Sequence, residues 1–383
     1  MGPLDGVRVI ELEAIGPAPF CGMLLADMGA DVLLVDRASD PGLGLDRERW
    51  NDVMLRGRRS VTLDLKSQGG GEALLRLAER ADAIIEGFRP GVIERLGIGP
   101  DVLLARNPRL VVGRMTGWGQ HGPLAPRAGH DIDYIARSGL LHAIGPADRP
   151  LPPANVVGDF GGGGMLLAFG IACALFEARA SGRGQVVDAA MIDGASLLAT
   201  MFHGLVAAGR WSERRSDNVL DGGAPWYATY ETRDGKFVAV GALEPKFYAE
   251  LLKGLGLERE PLPGQHDRAG WPTLRGRFAG VFAQRTRNEW ARIFDASDAC
   301  VAPVLTFSEA RADPHALARD AFVQIDGVAQ PAPAPRFSRT PGDVAAAPPM
   351  RGARGQAALH AWGFDDDEIE RLRNMGVGFS PGN

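Results

Sequence analysis

Cysteine is scarce: the 383 residues hold three, Cys21, Cys173 and Cys300, far apart and with no Cys-x-x-Cys pair. They cannot all pair with one another, which reads as a reducing compartment without a structural zinc. Blocks of one charge are also missing. The 42 basic residues are spread along a chain of net charge −5, so no nucleic-acid partner is expected and any anion site must be built locally. The longest apolar run, Met165-Leu-Leu-Ala-Phe-Gly-Ile-Ala-Cys-Ala-Leu-Phe, stops short of the roughly 20 residues a membrane span needs. It reads as a core helix. The opening Met1-Gly-Pro-Leu-Asp-Gly-Val-Arg-Val-Ile is too short in its apolar run for a signal peptide. The closing Ser380-Pro-Gly-Asn carries no lipidation or peroxisomal address. No membrane partner is expected, and the cytoplasm is the expected location.

Several catalytic signatures are absent too. No P-loop, Ser/His/Asp elbow or His-x-x-x-His metal set is found. The loop Ile15-Gly-Pro-Ala-Pro-Phe follows a strand, where a dinucleotide fingerprint would stand. It lacks the Gly-x-Gly-x-x-Gly spacing, and Pro17 removes an N–H that a phosphate would need. NAD is therefore disfavoured.

What is present is ordinary globular composition, 45% hydrophobic and 23% charged. The length allows two to three domains. Val7-Arg-Val-Ile-Glu-Leu, a helix-period segment from Phe20 to Met28, and Asp31-Val-Leu-Leu-Val-Asp make a β-loop-α-β unit. A helix over 71–81, a strand at Ala83-Ile-Ile-Glu, a helix near 90–96 and a strand at Leu110-Val-Val-Gly-Arg-Met continue the pattern. Buried apolar strands alternating with helices predict a parallel, doubly wound α/β sheet. Near Asp221-Gly-Gly-Ala-Pro the texture changes. Tyr227-Ala-Thr-Tyr-Glu-Thr, Arg233-Asp-Gly-Lys and Phe237-Val-Ala-Val-Gly predict a β-hairpin. Helices are expected over 246–255 and 288–294, and a Pro/Ala-rich tract after Gln330 has a linker's composition. The expected domains are a large α/β domain over 1–186, linker helices over 187–224 and a small α+β domain over 225–325. A return segment over 326–383 packs back on the first.

Three features could carry chemistry. Arg37, Arg56, Arg58, Arg59, Lys66, Arg89 and Arg95 cluster at expected strand ends and helix starts of one sheet. They fit a phosphorylated ligand or a solvated surface equally. Gly158-Asp-Phe-Gly-Gly-Gly-Gly-Met precedes the apolar helix. Its glycines would bare backbone N–H groups to a ligand oxygen, and Asp159 is either a working carboxylate or a plain helix cap. Of seven histidines, His130 stands apart in Ala128-Gly-His-Asp-Ile-Asp-Tyr, among small and acidic neighbours. Nearby carboxylates favour a protonated imidazole.

Leu4-Asp-Gly-Val-Arg-Val-Ile-Glu-Leu, Met23-Leu-Leu-Ala-Asp-Met-Gly-Ala-Asp-Val, Arg59-Ser-Val-Thr-Leu-Asp-Leu-Lys and Phe88-Arg-Pro-Gly-Val-Ile-Glu-Arg-Leu-Gly carry a resemblance, as does Gly182-Arg-Gly-Gln-Val-Val-Asp-Ala-Ala-Met-Ile-Asp. On these the chain resembles the CaiB/BaiF family, the class III CoA-transferases, over nearly its whole length. Met115-Thr-Gly-Trp-Gly-Gln-His-Gly-Pro, Ala128-Gly-His-Asp, Asn155-Val-Val-Gly-Asp-Phe and Gly241-Ala-Leu-Glu-Pro-Lys-Phe-Tyr are similar to its α-methylacyl-CoA racemase branch. Asp133 departs from that branch, where asparagine is usual.

The resemblance implies an interlocked homodimer acting on acyl-CoA, with CoA part of the substrate and no cofactor or metal. It implies His130 and Asp159 as acid/base pair, Glu244 as the carboxylate partnering the histidine, and CoA contacts at Ile15, Arg37, Leu63, Lys66 and Arg95. Inverting a carbon α to a thioester needs a base on one face and an acid on the other. Transferases of the same superfamily use the aspartate aligned with Asp159 as a nucleophile and lack the histidine, so that chemistry is the alternative.

Overall fold

The computed structural model describes residues 2–67 and 69–380. The last three residues of the C-terminal run read above for an address lie outside the described residues. The chain divides into two compact units, one of residues 1–138, 153–199 and 318–383, the other of residues 139–152 and 200–317.

The first unit is built on six parallel strands. In chain order they are β1 (Arg8–Leu12), β2 (Asp31–Asp36), β3 (Arg59–Thr62), β4 (Ala83–Glu86), β5 (Val111–Thr116) and β6 (Val186–Ala190). Their spatial order is β3-β2-β1-β4-β5-β6, and every pairing is parallel. The order reverses between β1 and β4, the crevice where doubly wound sheets take ligands. Helices α1 (Pro17–Asp27), α2 (Gly70–Ala78), α3 (Val92–Arg95), α4 (Pro100–Arg106), α5 (Asp131–Arg137), α6 (Leu166–Ser181) and α7 (Met191–Leu198) fill the connections.

Period-two alternation inside the unbroken apolar strands feeds two cores. Ile10, Leu33, Ile84 and Val112 turn to one face, against Leu74 and Leu77 of α2, Leu103 of α4 and Trp362 near the C-terminus. Their neighbours Val9, Val32, Ile85 and Val111 turn to the other, against Cys21 and Leu25 of α1 and Leu167 and Ile171 of α6. Strands buried on both sides read as continuous hydrophobic runs for this reason. The doubly wound α/β reading of the sequence is the fold observed.

The apolar segment seen in the sequence belongs to a helix of 26 residues, Val156–Ser181, long and apolar enough by length and composition to cross a membrane. One of its faces is core, with Leu167 and Ile171 fully buried. Met165, Phe169 and Phe176 are exposed. The first ten residues, Val156–Met165, are wound as a π-helix before α6 begins. Its glycines serve close packing. A Cβ at Gly162 would lie 2.7 Å from the amide nitrogen of Ala195 on α7, and one at Gly163 would lie 2.9 Å from Pro17 of α1. A Cβ at Gly194 would fall on the carbonyl oxygen of Gly162. The sequence reading, in which these glycines bare N–H groups to a ligand, is corrected here: the bare backbone faces α1 and α7.

The second unit holds a three-stranded antiparallel sheet in the order β7 (Tyr227–Glu231), β8 (Phe237–Gly241), β9 (Val301–Pro303). The expected hairpin is present, closed by Thr232 N–H to the Lys236 carbonyl, with Gly235 at φ 69° in the Asp-Gly turn. Helix α8 (Thr200–Ala207) precedes the sheet; α9 (Pro245–Leu255), α10 (Trp271–Phe282) and α11 (Arg287–Phe294) follow β8. An aromatic core of Trp226, Tyr230, Phe278, Phe282 and Trp290 joins them.

Gly194→Ala should lower stability by about 1–3 kcal/mol or more, the cost of overpacking where only backbone can give way. Urea unfolding should record a lower midpoint at unchanged slope; an unchanged midpoint would mean that α7 and the π-helical segment are not in tight contact.

Candidate active site

The segment Ala128-Gly-His-Asp-Ile-Asp-Tyr is organised by four different contacts. Tyr134 packs edge-on to Trp118 at 4.7 Å between centroids, and its hydroxyl donates to the Gly129 carbonyl. Gly129 must be glycine here, since a Cβ would stand 2.8 Å from the Tyr134 ring and 3.0 Å from Trp118. His130 takes the N-cap position of α5, and its backbone N–H donates to Asp133 Oδ2 at 2.9 Å. Asp131, buried at 6% exposure, accepts the backbone N–H of Asp159 on Oδ1 at 2.7 Å. The acidic neighbours of His130 are thus engaged with backbone amides, and the imidazole itself is exposed.

Asp159 stands in the first turn of the π-helical segment, half-buried. It does not cap its own helix, whose N-cap is Asn155. Asn155 Nδ2 donates to Asp159 Oδ2 at 3.0 Å. On the far side the loop after β1 passes close, and a Cβ at Gly16, itself at φ 68°, would be 3.2 Å from that same oxygen. Burial raises the Asp159 carboxyl pKa above its ordinary value of 3.8; the Asn155 bond pulls it down, the Asp131 carboxylate pushes it up and the His130 ring pulls it down. His130 and Asp159 are brought to one neighbourhood, since Asp131, the residue after His130, binds the Asp159 amide. Tyr134 stands in the same field, its phenol pushed up to about 12 by burial and then by Asp159.

The expected CoA contacts line the carboxyl edge of the sheet. Ile15 follows β1, Arg37 follows β2, Leu63 and Lys66 follow β3, and Arg95 is on α3 after β4. Arg37, Leu63 and Lys66 line a cavity of about 340 Å³ whose other walls include Leu12, Val35, Phe88 and Val92. Ile15 and Arg37 also border a second cavity of about 610 Å³ beside it. Arg95 lines neither cavity and is exposed. The Arg37 guanidinium lies 3.5 Å from Glu13 and 6.0 Å from the Phe88 ring centroid, and its Nη1 makes no hydrogen bond among the described residues.

Other cations around the sheet are already matched. Arg49 bonds Asp36 at 2.6 Å, Arg58 bonds Glu11 at 3.0 Å, and Arg56 bonds Asp27 at 2.5 and 3.0 Å. Arg56 and Arg58, read in the sequence as candidates for a phosphate, are buried structural partners.

Glu244 belongs to the second unit, exposed at the N-cap of α9. Among the described residues no three metal-ligating side chains form a group that could hold an ion. Sequence reasoning missed Asp131, Asn155, Tyr134 and Gly16. Asp131 and Tyr134 stood inside the quoted motif, but nothing in a sequence says which amide a carboxylate will reach.

A carboxyl group whose pKa is raised by folding stabilises below its unfolded pKa and loses that contribution as pH rises through the folded value. Asp159→Asn removes the loss. Its stability relative to the parent protein should climb as pH rises from about 4 toward 7, read from denaturant midpoints. A difference that shrinks over that range would contradict the burial of Asp159.

Comparison with known proteins agrees with this picture. The family model for CoA-transferase family III matches residues 4–355. An alpha-methylacyl-CoA racemase of Mus musculus is 48% identical over 375 residues, covering 97% of this chain and 96% of that protein. The alpha-methylacyl-CoA racemase of Homo sapiens is 44% identical over 374 residues, again 97% and 96%. Among solved structures, a CaiB/BaiF family protein from Brucella suis superposes with TM-score 0.80 at 26% identity, covering 94% of this chain and 99% of that one. By sequence and by fold, this chain belongs to CoA-transferase family III.

Proposed function

We propose that the chain is an α-methylacyl-CoA racemase, inverting the carbon next to the thioester carbonyl of 2-methylacyl-CoA by proton removal and return. The observation that carries this reading is the convergence of His130 and Asp159, with Asp159 held half-buried at a raised pKa. A carboxyl whose pKa burial raises holds a proton more strongly than an exposed one, which suits a group that must both accept and return a proton. Two such groups on opposite faces of the α-carbon serve both enantiomers by exchanging roles. One takes the α-proton, a planar enolate forms with its charge on the thioester oxygen, and the other delivers a proton to the opposite face. The start of the 26-residue helix stands beside Asp159, and its positive dipole end favours the developing negative charge.

CoA enters this proposal as part of the substrate. The cavity walled by Arg37, Leu63, Lys66 and Phe88 pairs apolar and cationic groups, as an adenine carrying a phosphate requires. The hydrogen-bonding capacity left on Arg37 is what such an anion would use. Glu244 would orient the imidazole of His130, completing the site. The exposed apolar face of Met165, Phe169 and Phe176 suits a second copy of the chain, and we include an interlocked homodimer in the proposal.

A single enantiomer of a 2-methylacyl-CoA, incubated in D₂O, should yield the opposite enantiomer carrying deuterium at the α-carbon. No acyl or CoA adduct should appear on Asp159 by mass spectrometry. Transfer of CoA to an added carboxylate through such an adduct, without α-exchange, would replace the racemase reading with the transferase one. Arg37→Ala should raise KM roughly tenfold or more, as a lost charge-assisted contact implies, with a smaller change in kcat. A collapse of kcat at constant KM would place Arg37 at the reacting carbon instead.

A further inference from the structure

The buried carboxylate next to His130 has no part in the chemistry above, yet its surroundings single it out. Asp131 is the first residue of α5 and is 6% exposed. One oxygen is spent on the Asp159 amide at 2.7 Å. The other is buried with no hydrogen-bond partner among the described residues. A buried oxygen left unpaired costs stability, and a second carboxylate beside Asp159 adds like-charge repulsion to that cost.

The neighbouring backbone is shaped around this contact. Gly158 is bare where a Cβ would stand 2.5 Å from Asp131 Oδ1 and 3.2 Å from Ile135. Any side chain at 158 would push the carboxylate off the amide. The route from His130 to Asp159 is thereby short and stiff: one peptide bond, one short side chain and one hydrogen bond. At the other end, Asp133 holds the His130 amide and Tyr134 holds the Gly129 carbonyl. Asn155 grips the Asp159 carboxyl from outside, which leaves Asp131 as the group that fixes the main chain from which that carboxyl projects.

We propose that Asp131 is a positioning residue for Asp159, fixing its backbone N–H so that the Asp159 carboxyl is aimed at one face of the substrate's α-carbon at a set distance from His130. The proposal rests on the assignment of Asp159 as a proton-transfer group. It adds a residue whose effect must be confined to the face of the α-carbon that Asp159 serves. A merely structural Asp131 would weaken both faces together.

Three variants separate these cases. Asp131→Ala removes the acceptor. Gly158→Ala leaves Asp131 in place and displaces its carboxylate. Asp131→Asn keeps an acceptor oxygen and removes the charge. The readout is α-proton exchange into D₂O, followed by NMR from each pure enantiomer of one 2-methylacyl-CoA. Asp159→Ala serves as reference, marking the enantiomer that depends on that carboxyl.

For that enantiomer Asp131→Ala and Gly158→Ala should slow exchange by roughly 10–100-fold, the scale of an ångström-sized misplacement, with less than about threefold change for the other. Asp131→Asn should recover most of the loss. Equal losses on both faces, no loss on either, or an Asp131→Asn as slow as Asp131→Ala would each overturn the proposal. Should Asp131→Ala fail to fold, Gly158→Ala decides the same question. If Asp159→Ala itself leaves both enantiomers exchanging normally, the assignment of Asp159 fails first, and that result is distinct from any of these.

Discussion

Packed helices usually keep their axes 8–10 Å apart because side chains stand between them. Where Gly162 meets Gly194 nothing but backbone stands between the π-helical segment and α7, and at Gly163 the Pro17 ring and the Met191 side chain press directly on the bare glycine. That closeness sets the depth of the segment behind the sheet and so the position of Asp159. With larger residues at 162 or 194 the segment would ride outward. Asp159 would leave the loop after β1, lose burial and separate from Asp131. The glycines are remote from any proton transfer, but the half-buried state of the carboxyl depends on them.

Charge pairing works toward the same end around the sheet. Glu11, Asp27, Asp36 and Glu86 are buried, and each is matched by an arginine: Arg58, Arg56, Arg49 and Arg114. Buried pairs of this kind add little net stability, since desolvation offsets their attraction, but breaking one leaves a charge uncompensated. Their consequence for the crevice is electrostatic. With those acids neutralised, Lys66 and the partly engaged Arg37 remain as the cations lining the smaller cavity. The carboxylates that share this cavity's lining are Glu13, beside Arg37, and Asp64.

Much of this was legible in the sequence wherever burial leaves a periodic trace. β1, β2, β4 and β5 are apolar on both faces and could be read directly. The edge strands β3 and β6 could not. Arg59-Ser-Val-Thr and Val186-Val-Asp-Ala-Ala mix polar and apolar residues: β6 is exposed at Val186 and Asp188 as an edge strand, and in β3 the polar Ser60 is buried against Asp36. The insertion of residues 139–152 into the second unit leaves no compositional mark. At the site, His130 and Asp159 stood out through their surroundings and the family resemblance. The roles of Asp131 and Gly16 arise only from contacts between distant segments, and that of Asn155 from the winding of the first turn of its own helix. The run of glycines was visible, yet its meaning was reversed: helix packing and ligand approach both call for a bare backbone, and only the neighbour tells them apart.

The central claim is that two groups, His130 and Asp159, address opposite faces of one carbon, and α-proton exchange measured separately from each pure enantiomer in D₂O tests it most directly. His130→Ala should slow exchange of one enantiomer by roughly 10²–10⁴-fold, the range of a positioned acid or base, and Asp159→Ala should do so for the other. Equal slowing of both enantiomers in both variants would mean that a single base serves both faces, and would contradict the account.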